Sequence, residues 1–155
     1  MAVEQDLGTM VTKGAEAQLT AAIGAAPLSG AKLHLYKADF APSKSSKAAD
    51  LAAHEADFVG YAPAPVTYGP VGVDANGDPC SLSTRMLFQA TDDTAPNLVG
   101  GCWLQGDTVG PPATHTAVAF YPFAVPVSFN EALQQIGVVL AVYTPQGIGY
   151  AVLDY

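Results

Sequence analysis

From Ser81 onward, apolar segments of strand length follow one another with only turn chemistry between them. The segments are SLSTRMLFQA, NLVGGCWLQ, HTAVAFYPFAV, QQIGVVLAVY and GIGYAVLDY. The linkers TDDTAPN, GDTVGPPAT and TPQG are rich in residues that bend the backbone or satisfy it locally. Strands in this series do not alternate with helices, so a parallel α/β sheet is not expected. Strands without covering helices must bury their apolar faces against each other. The expected fold is mainly β, an antiparallel β-sandwich of jelly-roll type with one or two short N-terminal helices.

The front of the chain supplies those helices. In VTKGAEAQLTAAIGA, residues 11–25, Ala15, Leu19, Ala22 and Ile23 form an i, i+4, i+7, i+8 stripe that predicts a helix ended by Gly24 and Pro27. The stripe is thin, so Leu19 and Ile23 are expected to rest on a sheet or on a neighbouring subunit. In AKLHLYKADF, Leu33 and Leu35 alternate with Lys32, His34 and Tyr36, the pattern of a half-buried strand. KAADLAAHEADF reads as a short helix with Asp50 near its start, Leu51 and Phe58 facing inward and Gly60 as its stop. The prolines of YAPAPVTYGPVGV confine it to an edge strand or an extended rim. SFNEALQQ admits either a helical turn, with Ser128 and Glu131 as a capping box, or continued strand.

With 155 residues the chain suits one domain. It divides into an N-terminal helical segment (1–27), the sandwich (28–143) and a C-terminal hairpin or arm (144–155). Only 13% of residues are charged and the formal net charge is −8. The acidic balance argues against phosphate backbones and anionic membranes as partners, so no nucleic acid and no membrane are expected. No apolar run reaches the length of a membrane helix. MAVEQDLGTM has acids and no basic n-region, so no signal peptide and synthesis in a cytoplasm are expected. With 15 Gly, 12 Pro and seven Tyr, the surface is expected to be largely uncharged. That suits either burial against a partner or a β-rich domain with many turns.

The search for chemistry starts at VDANGDPCSLS, where Asp74, Asn76 and Asp78 alternate as calcium ligands do. Counted from Asp74, the helix-loop-helix template wants Gly where Pro79 stands and Glu where Arg85 stands. Asn76-Gly77 is instead a hairpin signal, of the type I′ kind that needs positive φ at both residues. A turn without metal is expected, with a loose calcium site near Asp74 and Asp78, helped by Asp92 and Asp93, as the alternative. His34, His54 and His115 lack metal spacing. Cys80 and Cys102 lack a paired Cys-x-x-Cys, and a hairpin of 82–90 with 98–105 would put Met86, not Cys80, opposite Cys102. Two free thiols are therefore expected. No Gly-x-Ser-x-Gly elbow is present, and the strands carry almost no acids for a glycosidase pair. The double glycine of VGGCW predicts a bulge or a close backbone approach. No enzyme, no cofactor, no metal and no catalytic residue is expected.

The order of elements carries a resemblance. LHLYKADFAPS follows the opening helix, and a short acidic helix leads into ADFVGYAP. Leu33, Leu35, Tyr36, Asp39, Phe40 and Pro42, then Phe58, Gly60, Tyr61 and Ala62, match an L-x-L-Y-x-x-D-F-x-P and F-x-G-Y-A pattern. In this the chain resembles a group of small tailed-phage virion proteins encoded near capsid genes. It departs from them at TPQGIGYAVLDY, which adds a hairpin arm.

The resemblance implies a jelly-roll structural protein, a capsid cement or decoration protein on the virion surface. Its implied partners are the major capsid protein and itself, as a homotrimer. The interface residues expected are Leu19 and Ile23 on the opening helix and Ile148, Tyr150, Val152 and Leu153 on the arm. The alternative is a lectin-like carbohydrate-binding or fibre module, with an exposed aromatic platform around Trp103 or Tyr68.

Overall fold

The computed structural model describes residues 19–25, 28–107, 115–143 and 147–154, with β9 as backbone. Its strands are β1 (Lys32–Lys37), β2 (Ala64–Pro65), β3 (Gly72–Val73), β4 (Pro79–Leu82), β5 (Met86–Gln89), β6 (Asn97–Asp107), β7 (His115–Phe129), β8 (Gln135–Tyr143) and β9 (Gly147–Asp154). One short helix, α1 (Ala48–Ala52), follows β1. Among the described residues every strand pairing is antiparallel, and the strands form two sheets. Sheet I has the order β2-β1-β6-β7. Sheet II carries β3, β4, β5, β8 and β9.

In sheet II, β4 and β5 run in line along one edge of β8. The pairs Cys80↔Tyr143 to Leu82↔Ala141 give way to Met86↔Val138 through Gln89↔Gln135. Ser83 continues the ladder, its N–H donating to the Leu140 carbonyl at 2.8 Å. From Leu82 to Met86 the chain takes four steps while β8 takes three, so the two strands are one strand with a bulge. β9 lies along the opposite edge of β8. The TPQG segment thus leads into a hairpin partner of β8, and residues 147–154 are the outer strand of the sandwich itself. The chain changes sheet after β2, after β5 and again after β7.

The antiparallel β-sandwich expected from the run of strands is what forms, with few and short helices. The sheets bury one core between them. Leu33 and Leu35 of β1, Val99, Cys102 and Leu104 of β6 and Phe129 of β7 meet Met86, Phe88, Ile136, Val138, Leu140 and Val142 of sheet II. A fully buried aliphatic side chain stabilises by about 2 kcal/mol, so this layer is the main support of the fold. Residues 19–23 are helical, and Leu19 is fully buried in this core with Ile23 packed beside it.

The outer face of sheet I has a second layer. His34 pairs with Trp103 and Trp103 with Phe120, so the three sit in one row across β1, β6 and β7. α1 lies over this face, and Leu51 packs with Tyr36 and Trp103, flanked by Phe40, Ala48, Ala117 and Phe120. β1 is therefore buried on both faces, against the half-buried strand its alternation predicts. α1 is also shorter than expected. Asp50 accepts the Lys47 backbone N–H at its start, but the helix ends at Ala52 and not near Gly60. Glu55 beyond it bridges to Tyr36 as strand.

The double glycine behaves as its strand position predicts. The register of β6 against β7 shifts between Val99 and Gly101. A Cβ on Gly101 would collide with the Tyr36 ring and the Tyr121 carbonyl.

Candidate functional site

His34, Glu55 and Tyr61 meet at the free stretch of β1. His34 Nδ1 donates to Glu55 Oε1 at 2.6 Å, and the Tyr61 hydroxyl donates to the same oxygen at 2.7 Å. That hydroxyl in turn accepts the Leu35 backbone N–H at 3.0 Å. The Ala56 N–H donates to the Leu35 carbonyl at 2.9 Å, and the Lys37 N–H to the His54 carbonyl at 2.8 Å. The group therefore closes the backbone hydrogen bonds of β1 where β2 no longer runs. Burial pushes the Glu55 carboxyl up, but the hydrogen bonds from His34 and Tyr61 outweigh it and hold it below its ordinary value. Burial first, and then the Glu55 carboxylate, drive the Tyr61 phenol well up.

The His34 ring stacks on Trp103 with centroids 4.4 Å apart. His34 Nε2 and Trp103 Nε1 are buried and find no hydrogen-bond partner among the described residues. A His–Glu pair can orient a catalytic base, but a base needs an open nitrogen. Here the outer nitrogen is covered, and the pair reads as a strut between β1 and the 54–61 segment.

At one end of sheet I lies a shallow cleft of about 610 Å³. Lys37, Asp39, Asp57, Pro96, Asn97 and Leu98 line it. Lys37 Nζ donates to Asp57 Oδ2 at 2.8 Å, and Asn97 Nδ2 donates to Asp57 Oδ1 at 2.8 Å. The Asp57 N–H donates back to Asn97 Oδ1 at 2.7 Å. The Lys37 hydrogen bond first, then that of Asn97, hold the Asp57 carboxyl below its ordinary value. His54 approaches Asp39 at 3.4 Å and stacks on Phe40. Sequence reading missed this group because its members stand on three separate segments.

The outward face of sheet II carries an apolar strip beside the exposed Arg85. Leu82 and Leu87 are 53% and 51% exposed, and half-buried Val139 and Ala141 stand between them on β8. A Cβ on Gly137 would collide with the Arg85 guanidinium, so the bare glycine leaves room for Arg85. Elsewhere Leu133, at φ +69° and 73% exposed, projects beside Val125.

The 74–78 segment is the turn between β3 and β4. Asp74 Oδ1 accepts the N–H groups of Asn76 and Asp78 at 2.8 and 3.0 Å. Gly77 has φ +83°, but Asn76 does not have positive φ, so the loop is not the type I′ turn its letters predict. Asp74 spends its carboxylate as the anchor of the turn. Asp92 does the same for Thr94, accepting its N–H at 2.9 Å. Among the described residues no group of three or more His, Cys, Asp or Glu side chains is placed to hold a metal ion.

The cysteines are free and buried, but for a different reason than the expected hairpin. β5 pairs with β8, and Cys102 faces Leu35 and Tyr121 on β1 and β7. The aromatic platform expected at Trp103 is not there, since Trp103 is 1% exposed under α1. Tyr68 is half-buried, and burial pushes its phenol up to about 12. Of the expected interface residues, Leu19 is committed to its own core and Ile23 packs against it. Ile148, Tyr150 and Val152 lie opposite Val142, Leu140 and Val138 on β9, and Leu153 falls at the register shift. The side chain of His115 lies outside the described residues. Compared with family models, curated proteins and solved structures, the chain finds no match.

Proposed function

We propose that the chain is a bacteriophage virion structural protein, a capsid cement or decoration protein that stabilises the head by protein–protein contact. The outward face of sheet II carries this reading. Leu82, Leu87, Val139 and Ala141 make an apolar strip, crossed at Gly137 by the Arg85 guanidinium, that water solvates poorly. Its natural complements are the major capsid protein and further copies of this chain, as a homotrimer on the capsid surface. Such an interface buries about 800 Å² per partner.

The edges of the sandwich support the same reading. Among the described residues β7 is an edge of sheet I, and its Pro122 and Pro126 lack the N–H that a neighbouring strand would need. Among the described residues β9 is an edge of sheet II, and its sequence GIGYAVLD contains no proline and one acid. An edge of this kind accepts another strand. The residues that carry the phage-protein resemblance also have a structural use. Leu33 and Leu35 fill the core, and Tyr61 reaches back to the Leu35 N–H. A protein of this kind acts without chemistry of its own.

The test is the composition of purified particles of the phage that encodes the chain. The chain should be present in fixed proportion to the major capsid protein. Its absence from particles, with expression confirmed in infected cells, overturns the reading.

A further inference from the structure

The cleft beside β1 is separate from the outward face of sheet II and independent of the capsid reading. We propose that it binds a neutral polyhydroxylated ligand, a sugar presenting a vicinal diol to Lys37 and Asp57. The floor of the cleft is already ordered. Asn97 is 8% exposed and holds Asp57 from both sides, through its amide nitrogen and its amide oxygen. The Asp57 side chain is nevertheless 67% exposed, so the carboxylate is fixed at its base and open at its outer side. Two of its acceptor positions are used by Lys37 and Asn97, and a carboxylate offers about four. Lys37 spends one of its three N–H donors on Asp57.

An acceptor and a donor thus stand 2.8 Å apart on one surface. A hydroxyl both donates and accepts, so two neighbouring hydroxyls can satisfy both groups at once. Because the pair is held before the ligand arrives, little side-chain ordering is left to oppose binding. The charges select the ligand class. Lys37 is the one cation among the lining residues, against Asp39 and Asp57, so a phosphate or carboxylate ligand is repelled. A simple cation would meet the Lys37 ammonium already paired with Asp57. A neutral ligand meets neither penalty. Pro96 and the half-exposed Leu98 supply an apolar wall for the C–H face of a sugar ring.

The test is a heteronuclear NMR titration of the full chain with the methyl glycosides of mannose, galactose and glucose. 1,3-Propanediol, which has no vicinal pair, is the control. Saturable shifts in the millimolar range are expected at the Asn97 side-chain amide and the Leu98 backbone with at least one glycoside, and none with the control. Asp57→Asn keeps an acceptor for Lys37 and should weaken binding about tenfold or more, because a charge-assisted bond becomes a neutral one. Lys37→Met, at a half-buried surface position, is the second variant and should also weaken it. Unchanged amide shifts far from the cleft verify that both variants are folded. If no glycoside produces saturable shifts at the cleft, or if both folded variants bind as the parent does, the proposal is wrong.

Discussion

His34 Nδ1 donates to Glu55 Oε1 across 2.6 Å and joins residues 21 positions apart. The carboxylate can only accept, so the hydrogen sits on Nδ1. Through Tyr61, the same oxygen also secures the Leu35 N–H on a strand buried on both faces.

Stability should therefore fall on acidification through Glu55. Its folded carboxyl is held below the ordinary value of 4.5. A lowered folded value means the contribution is present above the unfolded pKa and lost as pH falls through the folded one. Glu55→Gln should destabilise by about 1–3 kcal/mol at neutral pH, since two hydrogen bonds to a charge are weakened. The melting-temperature gap between parent and variant should hold constant down to about pH 5 and close below it. A gap that persists unchanged at pH 3 would show that the ionised carboxylate is not the source.

Two glycines should respond to alanine for different reasons. At Gly101 a Cβ would meet the Tyr36 ring and the Tyr121 carbonyl, so Gly101→Ala should cost about 1–3 kcal/mol by overpacking. Gly77 has φ +83° with nothing within 4 Å of its Cβ position, so Gly77→Ala should cost only the backbone term, about 1 kcal/mol. Urea denaturation of both variants measures the difference. Equal losses would mean that the Tyr36 contact does not constrain the core.

Both thiols should be silent in the native protein. Cys102 is fully buried, and burial pushes its thiol well up; Cys80 is raised by burial and then by Asp74. A colorimetric thiol reagent should label neither cysteine natively and both in denaturant. Prompt native labelling of Cys102 would contradict its position between β1 and β7.

The strands after Ser81 were legible because turn residues bracket each apolar run. Their partners were not. The 82–90 segment pairs with β8 and not with its sequence neighbour, since pairing is decided by the face each strand must bury, which a local pattern does not contain. The alternation in LHLYK marked the inner face correctly. The covering of His34 and Tyr36 depends on Leu51 and Trp103, which are remote in sequence. KAADLAAHEADF predicts a helix that includes Glu55, yet β1 captures Glu55 as a strand partner, a tertiary override of propensity. Lys37, Asp57 and Asn97 form the cleft only after folding, with 40 positions between the last two. No spacing rule marks such a group. Gly100-Gly101 is the most informative local signal: a double glycine in a strand predicts a bulge or a close approach, and here the register shift and the close contacts coincide.

The proposed role rests on the outward face of sheet II, and that face can be disabled without touching the core. Leu82 and Leu87 are each more than half exposed, so the double variant Leu82→Glu, Leu87→Glu should fold with stability within about 1 kcal/mol of the parent. The decisive measurement is cosedimentation with heads purified from a phage lacking the gene. Purified parent protein should sediment with the heads, saturate, and stay bound at high salt, because apolar contact is not screened. The folded double variant should remain in the supernatant. Parent protein that fails to sediment with the heads, or a double variant that binds as well as the parent, would contradict the account.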